Sequence, residues 1–266
     1  MFIKVLLILL FSSTILFSAE NKLSKSDLLI KKVIKAYGGV ENIKKVKSSY
    51  LLSIKTKLYD KKVNLKHVFF QNVDKEIVTH ICNYNVFFTY SKSEECHVIN
   101  TTKAVKCDKV LTRIMELGYF TIDLMKFYTL KNKNYKIKYL GKSKINGKEV
   151  EGIRVTEKKL KLWIELYFDI ETFFLYMEKK GDKLGIYKPD LSESHVILSN
   201  VQKIGGSFIE KTSKSYKLNK LTEESSFTNL VSLKKNQYSF PKTKNHTGFL
   251  NAPLSKEMIR RCEEIK

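Results

Sequence analysis

From Tyr50 to Tyr90 apolar residues recur at every second position, in short runs with little chain between them. Tyr50, Leu52, Ile54 and Leu58 share one face of the first run, with Ser53, Lys55 and Lys57 on the other. Val63, Leu65 and Phe69 repeat the pattern, then Ile77 and Ile81, then Tyr84, Val86, Phe88 and Tyr90. A period of two is the period of a strand. Runs this close leave room for hairpins and none for helical crossovers, so an antiparallel meander is expected. Its inward face is predicted to carry Leu52, Ile54, Leu58, Phe69 and Phe88. Its outward face would be lysines and polar groups, as in a sheet wetted on one side.

The pattern returns at 135–139 and continues through 151–156, 160–168 and 173–177. Asn146-Gly147 is a strong hairpin signal, because both residues of that turn need positive φ. Asp169, in Phe168-Asp169-Ile170-Glu171-Thr172, reads as a turn former. Residues 195–204, Gly205-Gly206 and 207–218 predict a further hairpin, and 227–233 a last strand.

Two segments break the period of two. Ser24 and Asp27 resemble a capping box ahead of Leu29, Ile30, Val33, Ile34 and Tyr37 at helical spacing. Gly38-Gly39 ends that helix, and 40–46 is expected to be a short turn. Between 110 and 130, Leu111, Ile114, Met115, Phe120, Ile122, Leu124, Met125 and Phe127 predict one or two apolar helices interrupted at Gly118. Such a segment is either core packed on the sheet or a movable lid over an apolar cavity. As a lid, it would bring Ile114, Met115 and Met125 to the ligand.

The first 19 residues read as a secretory leader: Lys4, an apolar run over 5–17, and Ser18-Ala19 at the exit. The run is too short for an ordinary membrane span, although an uncleaved anchor is the competing reading. Export makes disulfides available to Cys82, Cys96, Cys107 and Cys262. A two-residue loop at Thr101-Thr102 would place Cys96 directly across the ladder from Cys107, a possible disulfide in a hydrogen-bonded pair. Free thiols are one alternative. A zinc site from His80, Cys82, Cys96 and His97 is another, without the usual ligand spacing.

The formal charge of +22 invites a nucleic-acid partner. Only four of the 49 basic residues are arginine, however, and the lysines are spread along every segment. Arginine is the residue of bidentate phosphate and base recognition, so no nucleic-acid partner is expected and solvated lysine faces account for the charge. A polycationic surface for anionic lipid is the lesser reading. The sequence has no G-x-S-x-G elbow, no P-loop and no zinc-protease motif. Its five histidines are scattered. No catalytic residue, metal or cofactor is therefore expected.

The segment from Ala36 through Tyr37-Gly38-Gly39-Val40-Glu41-Asn42-Ile43 to Ser48 resembles the opening of the periplasmic outer-membrane lipoprotein-sorting proteins, the family of the carrier LolA and receptor LolB. Tyr139-Leu140-Gly141, Ile145-Asn146-Gly147-Lys148, Gly152-Ile153-Arg154-Val155 and Leu166-Tyr167-Phe168-Asp169-Ile170-Glu171-Thr172 are similar to its middle. Gly205-Gly206 and Phe240-Pro241 are similar to its C-terminal part. The likeness runs from about 24 to 242.

That resemblance implies a mainly β (α+β) fold: a strongly curved antiparallel half-barrel with an N-terminal helix and a helical lid or insert. It implies a leader at 1–19, a binding domain at 20–242 and a C-terminal tail at 243–266. The implied function is a non-catalytic, monomeric periplasmic protein holding the acyl chains of lipoproteins or lipids. Leu52, Ile54, Leu58, Phe69, Phe88, Ile114, Met115 and Met125 would line its cavity. An envelope sensor or scaffold of the same fold that binds another protein, such as an envelope membrane protein, is the alternative, and an exported hydrolase with an unrecognised site the third reading. One departure is that no arginine lies between Ser48 and Tyr90, where the carrier uses one to hold its lid.

Overall fold

The computed structural model describes residues 23–47, 50–72, 76–91, 95–131, 133–182, 194–204, 207–234, 237–243 and 245–265. The expected leader at 1–19 and the expected turn at Gly205-Gly206 lie outside the described residues. Helix α1 (Lys25–Ala36) starts where the Ser24 hydroxyl accepts from the Asp27 N–H at 3.1 Å and donates to the Asp27 carboxylate at 2.7 Å. It ends at Gly38 and Gly39, both at positive φ. Residues 40–47, expected as a turn, form helix α2 (Val40–Lys47). Ile43 is its fully buried anchor.

Two meanders then build one antiparallel sheet. The first is β1 (Tyr50–Leu58), β2 (Val63–Gln71), β3 (Ile77–Ile81), β4 (Val86–Ser91), β5 (Glu95–Ile99) and β6 (Ala104–Lys106). The second is β7 (Tyr135–Ile145), β8 (Lys148–Glu157), β9 (Leu162–Asp169), β10 (Leu175–Asp182), β11 (Ser194–Ile204), β12 (Ser207–Lys217) and β13 (Lys220–Ser232). They join where β1 pairs with β13, giving 13 strands in the order β6-β5-β4-β3-β2-β1-β13-β12-β11-β10-β9-β8-β7 among the described residues. Asn146 and Gly147 take the positive φ their turn needs. The Asp169 carboxylate accepts from the Glu171 and Thr172 N–H groups at 2.8 Å.

Helix α3 (Lys109–Leu124) leaves one edge of the sheet and leads back to the other. Asp108 caps it, accepting from the Leu111 N–H at 2.7 Å. It runs unbroken through Gly118, so the expected interruption is absent. One Gly in a helix costs about 1 kcal/mol, which the packing of Leu117, Phe120 and Leu124 outweighs. Those three side chains join α1 and β8–β10 in the main core, with Leu29, Val33, Tyr37, Ile153, Ile164, Leu166 and Phe168. On its other flank Tyr119, Leu111 and Met115 pack on Ile77, Tyr90 and Cys96.

The expectation of a sheet wetted on one side fails for the first meander. Leu51, Val68, Phe70, Val78, Phe87 and Ile99 point away from the inward face and are all at most 1% exposed. They are covered by α4 (His246–Asn251) and α5 (Pro253–Glu264), which insert Phe249, Leu254 and Met258. Residues 243–266, expected as a tail, thus supply the roof of a second core. Cys262 of α5 is bridged to Cys82 in the turn after β3. The second disulfide joins Cys96 and Cys107, whose Cα atoms are 5.3 Å apart, at the register inferred from the hairpin. Both cysteines of the zinc alternative are consumed by different bridges, so His80, Cys82, Cys96 and His97 cannot form that ligand set.

Candidate functional site

Two of the apolar clusters on the inward face border a hollow. One is the main core around α3 and β8–β10. The other is Tyr50, Leu52 and Ile54 on β1 with Phe69, Phe227 and Leu230 on its neighbours. A cavity of about 580 Å³ takes its walls from both. Tyr50, Leu52, Phe227 and Leu230 form one wall, Met125, Val196 and Leu198 the other, with Ile209 also lining it. A volume of that size is in the range of small-molecule sites.

Polarity changes along β12. Ile209 and Glu210 are buried; Ser213, Ser215, Tyr216 and Lys217 follow toward the Leu218-Asn219 turn. Thr222 and Glu223, just past that turn, and Asp60 at the β1–β2 turn line the same end. Ile209 to Lys217 spans about 26 Å at 3.3 Å per residue, long enough for an extended acyl chain and its headgroup.

Two buried carboxylates interrupt the apolar walls. Glu210 accepts a hydrogen bond from the Tyr37 hydroxyl of α1, which in turn accepts from the Leu175 N–H at 3.0 Å. Burial, with Glu210 beside it, raises the Tyr37 pKa well above the ordinary value, so this hydroxyl stays protonated. Glu178 on β10 faces Val196 and Leu166 across its two ladders and so shares their inward face. His195 is pushed below its ordinary pKa by burial and by Lys179.

The structure brings Leu52 and Met125 to the cavity wall. Ile54 and Phe69 pack in the cluster behind Leu52, the Phe69 ring 6.0 Å from that of Tyr50. Four of the expected lining residues lie elsewhere. Leu58 sits half-buried at the far end of β1, and Phe88 half-buried on β4, nearer the β6 edge. Met115 belongs to the cluster against Tyr90 and Cys96. Ile114 is 46% exposed, because Arg113, Leu117, Phe120 and Leu124 set the inward stripe of α3 and Ile114 falls outside it.

Sequence reading missed the other wall. Val196, Leu198, Ile209, Phe227 and Leu230 become neighbours of β1 only through the β1–β13 pairing, between residues such as Leu52 and Leu230. The strands that carry them were visible; their position opposite Leu52 was not.

No protein-family model and no curated protein matches this sequence. Solved structures do. A domain from Vibrio parahaemolyticus assigned to outer membrane lipoprotein sorting superposes with a TM-score of 0.51 at 10% identity, over 78% of this chain and 96% of that one. The fold is that of the lipoprotein-sorting proteins. A DUF1329 family protein from Desulfovibrio piger shares it, with a TM-score of 0.51 at 11% identity, over 84% of this chain and 98% of that one. At such identities the lipoprotein-sorting likeness concerns architecture alone.

Proposed function

We propose that this protein is an exported, non-catalytic carrier that holds an acyl chain of a lipid or lipoprotein inside the curved sheet, in the bacterial envelope. The observation that carries the reading is the cavity between Leu52, Phe227 and Leu230 on one side and Met125, Val196 and Leu198 on the other. Burying a chain is worth roughly 0.8 kcal/mol per methylene, so such a site works by shape and apolarity and requires no reactive group. The fold supports the reading, since a domain assigned to lipoprotein sorting has the same architecture.

Mass spectrometry of material extracted from the purified protein, with titration of a fluorescent fatty-acyl probe, tests it. Lipid in the extract and saturable probe binding are the expected results. Met125→Asp should weaken the probe with little change in melting temperature, because Met125 borders space. Met115→Asp should lower the melting temperature instead, since it places a carboxylate among Tyr90, Cys96 and Tyr119 without a partner. A wild type that binds no acyl probe would remove the carrier reading.

A further inference from the structure

The charge inside the cavity runs opposite to the charge of the chain. Lysine and arginine outnumber aspartate and glutamate by 49 to 27 over the whole sequence. Among the described residues around the cavity, the acids Asp60, Glu178, Glu210 and Glu223 outnumber the lysines Lys180 and Lys217. Glu178 is the informative member. Its residue is 6% exposed, and its Oε1 accepts from the Lys180 Nζ at 3.1 Å. Its Oε2 is buried and has no hydrogen-bond partner. A buried carboxylate oxygen without a donor is destabilising by the desolvation it suffers, and Glu178 is one of the residues that line the cavity.

A ligand that brings a donor removes that penalty, while a ligand that brings an anion enlarges it. We propose that the cavity selects amphiphiles whose head is a cationic hydrogen-bond donor, an alkylammonium group seated on Glu178. The inference rests on the acyl-chain reading and adds the chemistry of the headgroup to it. The apolar wall would take the chain, and the carboxylates would set which head is accepted. A fatty-acid carboxylate would be a poor fit despite an identical chain.

The test titrates wild type and Glu178→Gln with dodecylammonium, dodecanol and dodecanoate, each below its micelle concentration, in competition with a fluorescent fatty-acyl probe. On the wild type the ammonium should compete about tenfold better than the carboxylate, the size of one charge-assisted hydrogen bond. In Glu178→Gln the two should converge to within about twofold, with dodecanol unchanged, which also shows that the cavity has kept its shape. Dodecanoate equalling dodecylammonium on the wild type, or a variant that weakens all three alike, overturns the proposal and leaves the acyl cavity standing. If no chain displaces the probe, the cavity reading fails with it. Lysophosphatidylethanolamine against lysophosphatidylglycerol repeats the comparison with the ammonium carried on a membrane lipid. A preference there assigns the head to a phospholipid; a preference confined to dodecylammonium assigns it to a free long-chain amine.

Discussion

The two meanders of the sheet solve the same problem in different ways. The strands β2–β6 shorten from 9 residues to 3, and all four cysteines lie in that half or in the helix that covers it. Both faces of the first meander are buried at its centre, while Lys55 and Lys57 stay exposed toward the far end of β1. Strands β7–β13 run from 8 to 13 residues with no cysteine among them. Their outer face is roofed by their own side chains. Trp163 lies over Gly181 and Tyr167 over Gly152, so closely that a Cβ at either glycine would come within 2.8 Å of a ring atom. Arg154 then stacks on Trp163 at 4.9 Å and bonds Glu165 at 2.9 Å. Short strands gain little from their own ladders and are held by cross-links and a second core. Long strands hold themselves, which leaves their inward face free to border a hollow.

If that contrast is right, the largest loss should come from removing the bridge between α5 and the β3 turn. Cys82 and Cys262 are 180 residues apart, and Cys96 and Cys107 only 11. Chain entropy then predicts about 5 kcal/mol for Cys82→Ser with Cys262→Ser, against about 3 kcal/mol for the other pair. Denaturant titration of the two double variants measures this. Equal losses would mean that α5 is held by packing alone.

A neighbouring pair on β1 sharpens the comparison. Leu51→Ala opens the fully buried second core and should cost about 3 kcal/mol. Leu52→Ala, on the cavity wall, should cost less and weaken the acyl probe instead. The reverse ranking, read from melting curves and probe titration, would put the hollow on the wrong side of the sheet.

Acid should loosen the first meander before the second. Burial lowers the His67 pKa to about 4, from 6.5, and lowers His80 as well. A histidine kept neutral when folded but free to protonate when unfolded stabilises fully above pH 6.5, and that stabilisation is lost as pH falls from 6.5 toward about 4. The full loss is about 3 kcal/mol, of which about 2 kcal/mol is reached by pH 5, and His67→Gln should flatten it. Hydrogen exchange at pH 5 would show the loosening in β2 and β3. Uniform loosening of both meanders would break the contrast. The smallest effect belongs to the wet outer face of the second meander, where Arg154→Ala should cost about 1 kcal/mol or less.

Legibility followed the range of the interactions. The alternation of β1–β4, the Asn146-Gly147 turn, the Ser24 cap and the Cys96–Cys107 register all depend on residues close in sequence, and all could be read. The second core could not, although its apolar partners were in view: Leu51 beside Leu52, Val68 and Phe70 around Phe69, Phe87 beside Phe88. Consecutive apolar residues in a strand mean burial on both faces. Leu254 and Met258, four apart on one helix face, and Phe249 in the helix before them were the matching cover. Reading one face of each strand hid both. The cavity was half legible for a similar reason, since Leu52 is local to the first meander while Phe227 and Leu230 reach it from the far end of the chain.

The β1–β13 pairing has a consequence for the order of events in folding. Each meander can zip from its own hairpins, but Tyr50 and Ser232 must meet across about three quarters of the described span. Closing so long a loop is entropically costly before any contact rewards it. The seam between the meanders is therefore expected to form late, and pulse-labelled exchange should protect the amides of β13 after those of β8 and β9. Until that seam closes there are two half-sheets and no hollow between them. The chain must be almost entirely assembled before it has a place to put a ligand.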